Sequence, residues 1–253
     1  MCFVFLPQPV YTLLMTLANR VALVTGASTG LGQAIAEQLI EAGATVYGLA
    51  RSKDRLDSLH DTHGDAFVPC PADVRDQEAV EAIVERIKSD AGRLDILVNN
   101  AGLGRFGAVD EMPVEDWDVQ HDTNLRGLYL CTRTVVPVMR AQNEDTGFGG
   151  HIVNIASIAG LIGNPNISAY NATKFGVRGF SQALMKEVRS AGIRVSCLYP
   201  GSIETEFFDR AGADITDQPL QADDVAATVL HVVQAPENHL ISEVVLRPLR
   251  PRG

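Results

Sequence analysis

Cysteine is scarce in this sequence of 253 residues, and the four that occur, Cys2, Cys70, Cys131 and Cys197, form no CxxC pair. The six histidines form no HExxH grouping and no cluster with acidic residues. Metal centres in proteins need closely spaced ligands of these types, so we expect none. Three of the cysteines lie in apolar segments, and we interpret them as reduced, buried side chains of a cytoplasmic protein.

Basic residues are also fewer than acidic ones. The chain has 21 Lys and Arg against 31 Asp and Glu, a net charge of −10 and an isoelectric point near 5.0. Domains that bind nucleic acid usually carry a basic patch or stripe. The composition therefore predicts that nucleic acid is not a partner.

A long uninterrupted apolar run is missing as well. Residues 1–18 are apolar, but Pro7 and Pro9 interrupt them and no basic residue precedes them. A signal peptide needs a positive start, and a membrane helix needs roughly 18 or more apolar residues in a row. We expect no membrane partner and interpret residues 1–18 as an extension. One explanation is a start codon placed too early, with Met15 as the natural start; a peripheral membrane anchor is the alternative.

What the sequence does contain, from Arg20 onwards, is an alternation of short apolar segments and amphipathic segments. Continuously apolar strands that alternate with helices predict a parallel sheet covered on both faces. No linker or repeat divides residues 19–253, so we predict an α/β fold: a single-domain, doubly wound, Rossmann-type parallel sheet of about seven strands. The predicted strands are Val21–Thr25, Thr45–Ala50, Ala66–Cys70, Leu94–Asn99, His151–Ala156, Arg194–Tyr199 and Glu243–Leu246.

Helices are predicted between these strands, and residues 202–222 are predicted to form a looser segment over the substrate. Periodic apolar positions and terminal glycines mark the helix ends. The predicted helices are Leu31–Ala42, Ser52–His60, Asp76–Ala91, Val114–Arg140, Ser168–Arg189 and Asp223–Val233.

A glycine-rich turn, TGASTGLG at residues 25–32, follows the first strand and opens a helix. Glycines let the backbone turn tightly and approach a pyrophosphate, and the helix amino terminus favours its negative charge. The spacing is GxxxGxG, and the Lys-Ser/Thr of a triphosphate-binding loop is missing. The turn therefore predicts a dinucleotide site.

The residue after the second strand distinguishes between the two nicotinamide cofactors. NAD-binding chains usually place an acid about 20 residues beyond the glycines, to hold the ribose 2′-hydroxyl. Here Arg51 occupies that region, and a guanidinium suits a 2′-phosphate. We predict NADP (NADPH) as the cofactor in preference to NAD.

Tyr170 and Lys174 are four residues apart in a predicted helix and so share one face. A cation about 4 Å from a phenol, at an effective dielectric constant of about 20, is worth roughly 4 kcal/mol. That interaction could lower a phenol pKa by up to about 3 units, towards neutrality. The pair thus predicts acid–base chemistry; the alternative is an aromatic ring packed beneath a solvated charge.

Seven motifs in order now point to a family. They are TGASTGLG (25–32), ADV (72–74), NNAG (99–102), Asn124 in DTNLRG, Ser157 in NIAS, YNATK (170–174) and PGSIET (200–205). Together they resemble the classical short-chain dehydrogenase/reductase family, over a length from about residue 19 to the last strand.

The resemblance implies a catalytic group of Asn124, Ser157, Tyr170 and Lys174. By this resemblance Tyr170 donates or accepts the proton, and Lys174 lowers the pKa of Tyr170 and holds the nicotinamide ribose. Ser157 hydrogen-bonds the reacting oxygen, and Asn124 holds a water. The implied cofactor contacts are Gly26, Ser28, Thr29, Gly30, Leu31, Gly32, Arg51, Asp73, Val74, Asn100, Ala101, Gly102, Tyr170, Lys174, Pro200, Gly201, Ile203 and Thr205.

The expected activity is NADP-dependent hydride transfer between nicotinamide and a carbonyl or secondary alcohol, with carbonyl reduction as the working direction. Apolar residues near the expected pocket, Phe106, Leu161, Ile162, Phe207 and Phe208, indicate an apolar small-molecule substrate. The carboxyl terminus lacks the GlyGly ending of β-ketoacyl-carrier-protein reductases, which argues against that role.

Other readings of the sequence remain open: a non-catalytic NADP-binding regulator or scaffold, an NAD-dependent alcohol dehydrogenase, or a sugar epimerase. Epimerases usually have a larger domain than the about 50 residues that follow Pro200 here. The resemblance also implies a homo-tetramer or homo-dimer formed through the helices predicted at residues 114–140 and 168–189.

Overall fold

A computed structural model describes residues 16–211 and 218–249. Its seven strands all run parallel, in the order β3-β2-β1-β4-β5-β6-β7, which confirms the predicted fold class. The strands are β1 Val21–Thr25, β2 Thr45–Ala50, β3 Phe67–Pro71, β4 Ile96–Asn99, β5 Gly150–Ile155, β6 Ile193–Pro200 and β7 Glu243–Leu246.

Helices cover both faces of this sheet. One apolar cluster lies under α1, α2 and α8, and a second lies under α3, α5 and α6. The helices are α1 Gly30–Glu41, α2 Lys53–His63, α3 Gln77–Ala91, α4 Val114–His121, α5 Leu128–Thr146, α6 Ser168–Val188, α7 Glu206–Ala211 and α8 Ala222–Val233. Within the described ranges, none of them is both long and apolar enough to cross a membrane.

Local sequence explains where several elements begin and end. In α1 the buried side chains of Leu31, Ile35 and Leu39 follow the i,i+4 spacing of one helix face. Helix α3 begins where the Asp76 side chain accepts a hydrogen bond from Ala79 N at 3.1 Å. It ends at Gly92, whose φ of 67° closes the last turn.

The helix predicted over Val114–Arg140 forms, but it is not α-helical throughout. A π-helical turn, Asp122–Gly127, separates α4 from α5. Helix α5 then continues beyond the predicted end to Thr146, where Gly147 (φ 75°) terminates it. The sequence did not predict this extension, because the residues after position 140 are mainly polar. They continue the exposed face of α5.

Two other differences concern the segments outside the predicted elements. Helix α7 forms within the segment predicted to be loose. Of the predicted extension, residues 1–15 lie outside the described residues, but Leu17 is buried in the core and its N–H donates to Ala42 O at 3.1 Å. The remaining strand and helix bounds agree with the predictions to within about three residues.

Candidate active site

The predicted site residues lie at the carboxyl ends of the central strands, where the strand order reverses between β1 and β4. Ligands of doubly wound sheets bind at such a point. The turns after the four strands β1, β4, β5 and β6 meet here. A Cβ atom on Gly30 would lie 3.1 Å from the Thr205 side chain, and one on Gly102 would lie 3.3 Å from Asn124 and 3.7 Å from Lys174 Nζ.

The glycine-rich turn is folded tightly and tied to the turn after β4. A Cβ atom on Gly32 would lie 2.1 Å from the carbonyl oxygen of Gly26, so no other residue fits there. Thr25 Oγ1 accepts hydrogen bonds from Asn100 N at 3.0 Å and Ala101 N at 2.9 Å, and Asn100 Nδ2 donates to Thr25 O at 3.0 Å. Thr25 is the first residue of the motif, but it was not among the predicted site residues.

The amino terminus of α1 fits an anionic group. Thr29 precedes the helix in an extended conformation, its side chain makes no capping hydrogen bond, and the first turn carries no acid. Unpartnered amide groups at a helix start favour a phosphate. The side chains of Ser28 and Thr29 are half-buried, whereas that of Leu31 is buried in the core, so Leu31 can contribute only its backbone.

Arg51, at the end of β2, is exposed, and among the described residues it has no hydrogen-bond or ion-pair partner. The two other nearby cations differ from it, because Lys53 pairs with Asp57 and Arg55 lies 3.3 Å from Glu206. Arg51 is thus the cation that remains available to an anionic ligand.

Asp73 and Val74 form the wall of the site next to Arg51. The Asp73 carboxylate lies 2.7 Å from the Arg75 guanidinium, whose hydrogen bonds hold the pKa of Asp73 below its usual value. The charge of Arg51 lowers that pKa further. Val74 is buried and would contact any Cβ on Gly127 at 2.7 Å, so it packs directly against the π-helical turn.

Ser157, Tyr170 and Lys174 converge as predicted from their positions. The Ser157 hydroxyl lies near enough to the Tyr170 hydroxyl to lower its pKa, and Ser157 Oγ accepts from Ala159 N at 3.1 Å. Lys174 Nζ donates to Ile155 O at 2.9 Å and lies 5.6 Å from the centre of the Tyr170 ring. Both Tyr170 and Lys174 are more than nine-tenths buried.

The expected lowering of the Tyr170 pKa by Lys174 is not what this geometry produces. Burial raises the pKa of Tyr170 to about 12, and the hydrogen bond with Ser157 opposes that rise. Burial lowers the pKa of Lys174 to about 8. The ammonium points to a backbone carbonyl, and desolvation of each group outweighs their attraction.

Asn124 lies in the π-helical turn, and its side chain is fully engaged. Its Oδ1 accepts from Leu103 N and its Nδ2 donates to Leu103 O, both at 2.8 Å, while Nδ2 also reaches Thr173 Oγ1 at 3.1 Å. The amide therefore fixes the loop after β4 to α6. Thr173, which takes part in this contact, was not among the predicted site residues. The water implied at Asn124 stays a prediction.

The segment after β6 closes one side of the site. Pro200 O accepts from Ser157 Oγ at 3.4 Å, and Gly201 N donates to Leu246 O at 2.8 Å. Ile203 is half-buried and packs against the core. Thr205 lies against Gly30 and accepts from Phe207 N at 3.3 Å.

Two phenylalanine rings pack around the ring of Tyr170. Phe106 and Phe207 each lie 5.6 Å from the Tyr170 ring, centre to centre, and 6.4 Å from each other. Leu161 is half-buried and Ile162 is half exposed. The side chain of Phe208, named in the same prediction, lies outside the described residues.

Comparison with known proteins agrees with this geometry. A family model described as short chain dehydrogenase matches residues 20–216. An uncharacterized oxidoreductase of Staphylococcus aureus is 32% identical over 235 residues, which cover 92% of this chain and 99% of that protein. The chain belongs to the short-chain dehydrogenase family. It is an oxidoreductase of that family.

Two solved structures of this family are similar along nearly the whole chain. A metagenomic short-chain oxidoreductase in complex with NADP has a TM-score of 0.80 at 33% identity, covering 93% of this chain and all 100% of that one. A 3-ketoacyl-(acyl-carrier-protein) reductase from Brucella melitensis, complexed with NADH, has a TM-score of 0.84 at 32% identity, covering 91% and 97%.

Proposed function

We propose that the protein is an NADP-dependent reductase of small apolar ketones or aldehydes, with Tyr170 as the proton donor. The observation that carries the proposal is the convergence of the Ser157 and Tyr170 side chains beside the buried Lys174. The pair lies next to a glycine-rich turn and an uncapped helix start that fit a dinucleotide.

The protonation states favour reduction. A pKa of about 12 keeps Tyr170 protonated at neutral pH, ready to donate to a substrate oxygen. Bound NADPH would supply the hydride. As the proton leaves, negative charge develops on the phenol, and the Lys174 ammonium, which has no carboxylate partner among the described residues, stabilises that charge. Ser157 orients the substrate oxygen with its hydroxyl.

The preference for NADP rests on Arg51. It is exposed and unpaired, and a guanidinium binds the 2′-phosphate with charge-assisted hydrogen bonds. One similar structure is in complex with NADP and another with NADH, so an NAD-dependent alcohol dehydrogenase is the alternative that the experiment must test.

The substrate class rests on the aromatic cover formed by Phe106, Tyr170 and Phe207, which offers apolar contacts to the carbonyl substituents. The substrate panel to be assayed with NADPH therefore consists of small ketones and aldehydes. The similarity to a 3-ketoacyl-carrier-protein reductase adds a short 3-oxoacyl thioester to it. We further propose a cytoplasmic location, which the free thiols of Cys70, Cys131 and Cys197 support, and a homo-tetramer or homo-dimer.

The test of cofactor choice is a fluorescence titration with NADPH and NADH. Wild type is compared with Arg51→Asp and with Arg140→Asp, an equal charge change at an exposed position on α5. We expect NADPH to bind wild type at least tenfold more tightly than NADH, and this preference to disappear in Arg51→Asp alone. Equal NADH binding by wild type would contradict NADP dependence, and no binding of either would contradict both the reductase and an NADP-binding scaffold.

A further inference from the structure

The Asn171 side chain, next to Tyr170 in the chain, holds the whole turn that follows Ser157. Its Nδ2 donates to Ala159 O at 2.6 Å and to Ile162 O at 2.9 Å, while its Oδ1 accepts from Asn164 N at 3.0 Å. The side chain is more than nine-tenths buried. Both amide hydrogens and one oxygen lone pair are therefore committed to a single backbone segment.

That segment leads directly to the Ser157 hydroxyl. Ala159 uses its carbonyl to accept from Asn171 and its N–H to donate to Ser157 Oγ at 3.1 Å. The segment is also pressed against α6, since a Cβ on Gly160 would lie 2.6 Å from Lys174 O. The position of the Ser157 hydroxyl relative to Tyr170 is thus fixed through Ala159 and Asn171.

The same contacts set one wall of the expected substrate pocket. Leu161 lies between the two bonded carbonyls, those of Ala159 and Ile162, so Leu161 and Ile162 both belong to the segment that Asn171 holds. These side-chain hydrogen bonds are not needed to form α6, because the Asn171 backbone N–H makes the ordinary helical hydrogen bond to Ile167 O. The Asn171 side chain therefore stabilises the turn and not the helix.

We propose that Asn171 is a positioning residue, which sets the Ser157 hydroxyl against Tyr170 and thereby controls proton transfer to the substrate. This inference rests on the proposed function. A shift of about 1 Å in a reacting group can reduce turnover roughly a hundredfold. Asn171→Ala leaves the Ala159 and Ile162 carbonyls without this donor, which favours such a shift.

The experiment compares Asn171→Ala with Gln142→Ala. Gln142 also binds backbone with its amide, accepting from Leu94 N at 2.6 Å and donating to Leu94 O at 3.2 Å and Gly149 O at 3.1 Å, at the opposite end of the sheet. We expect Asn171→Ala to lower kcat at least tenfold while the NADPH Kd stays within twofold. Gln142→Ala should change neither. Asn171→Ser, which keeps one donor, is the fallback variant if the alanine variant does not fold.

Two further readouts separate positioning from general destabilisation. A displaced Ser157 hydroxyl slows proton transfer relative to hydride transfer, so the solvent isotope effect on kcat should increase in Asn171→Ala alone. Unchanged kcat and solvent isotope effect in a folded variant would overturn the proposal.

A crystal structure of the folded Asn171 variant provides the test that needs no turnover. If Ser157 Oγ there keeps its wild-type position beside Tyr170 and its bond to Ala159 N, the positioning role is overturned, whatever the wild type catalyses. If Ser157 Oγ has moved while wild type reduces no member of the panel, the proposed function fails and the structural part of the inference stands.

Discussion

The two ends of the sheet are built from different interactions. At the amino end the Asp95 carboxylate accepts from Arg20 at 2.9 Å, from Arg93 at 2.8 and 2.5 Å, and from the backbone of Val21 at 2.9 Å. Arg194 donates to four backbone carbonyls. Asp95 thus pairs with two guanidinium groups, and Arg194 lies within reach of the Glu237 charge, although its Nε has no partner among the described residues.

At the carboxyl end, amide and hydroxyl side chains hold the loops, and the buried cation Lys174 has no acid beside it among the described residues. Burial without a counter-charge is costly, and it is expressed in a pKa lowered to about 8. The amino end thus stabilises the fold, whereas the carboxyl end keeps an unmatched charge and open donors for a ligand. Four changes can test this contrast.

The largest effect is expected at the carboxyl end from Tyr170→Phe. Removal of a general acid lowers turnover by about 10³-fold, equivalent to about 4 kcal/mol of barrier. The NADPH Kd should stay within a few-fold, and the unfolding free energy should hold or rise, because a buried hydroxyl is removed. Steady-state kinetics and the NADPH titration check this, and retained turnover would remove Tyr170 from the mechanism.

At the amino end the next largest effect should follow Asp95→Ala. The variant leaves two guanidinium groups and the Val21 N–H without their acceptor, and we expect unfolding in urea to become about 3 kcal/mol easier. Turnover of the folded protein should not change. Asp90→Ala, which removes an exposed partner of Arg86, should cost less than about 1 kcal/mol. Equal losses in the two variants would refute the idea that the amino end is the stabilising one.

The pH dependence of stability tests the unmatched Lys174. Its pKa of about 8 lies below the 10.5 of an exposed lysine, so between these values the unfolded state binds more protons and stability rises with pH. From pH 7.5 to 9.5 wild type should gain about 2 kcal/mol relative to Lys174→Met, which has no titrating group. Staying below pH 10 avoids the opposite contribution of Tyr170. Parallel urea curves at the two pH values would contradict the burial of the charge.

The smallest effect concerns the Phe148 ring, which lies 5.5 Å from the Arg20 guanidinium and 5.0 Å from that of Arg194. Phe148→Leu removes both cation–π contacts and should lower the unfolding free energy by about 1 kcal/mol, with turnover unchanged. Phe175→Leu, at a position where the ring is 42% exposed, should cost about half as much or less. A drop in turnover for Phe148→Leu would show that the two ends are coupled.

The sequence predicted most of the sheet because its signals are local. Strands β1, β2 and β7 have the predicted bounds, since each is a short apolar run between turn residues. The glycine-rich turn and the Tyr170/Lys174 spacing are local in the same sense. These features need no knowledge of what packs against them.

Features that depend on distant contacts could not be predicted in this way. The Asn124 amide bonds Leu103 and Thr173, which are 21 and 49 residues away, so nothing in the local pattern marks its role. The sign of the Tyr170 pKa shift depends on burial that only the fold creates. Asn171 stood inside a recognised motif, but its three partners appear only when the turn packs on α6.

The π-helical turn, Asp122–Gly127, has a consequence for the rotation of one helix relative to another. Each residue turns an α-helix by about 100°, and a π turn accommodates one residue more than an α-helical turn. Deletion of one residue within it would let α4 and α5 join as one continuous helix. The face of α4 would then rotate by about 100° about the common axis, and the Asn124 amide could no longer face both Leu103 and Thr173. In this protein the single additional residue sets the angular phase between α4 and α5.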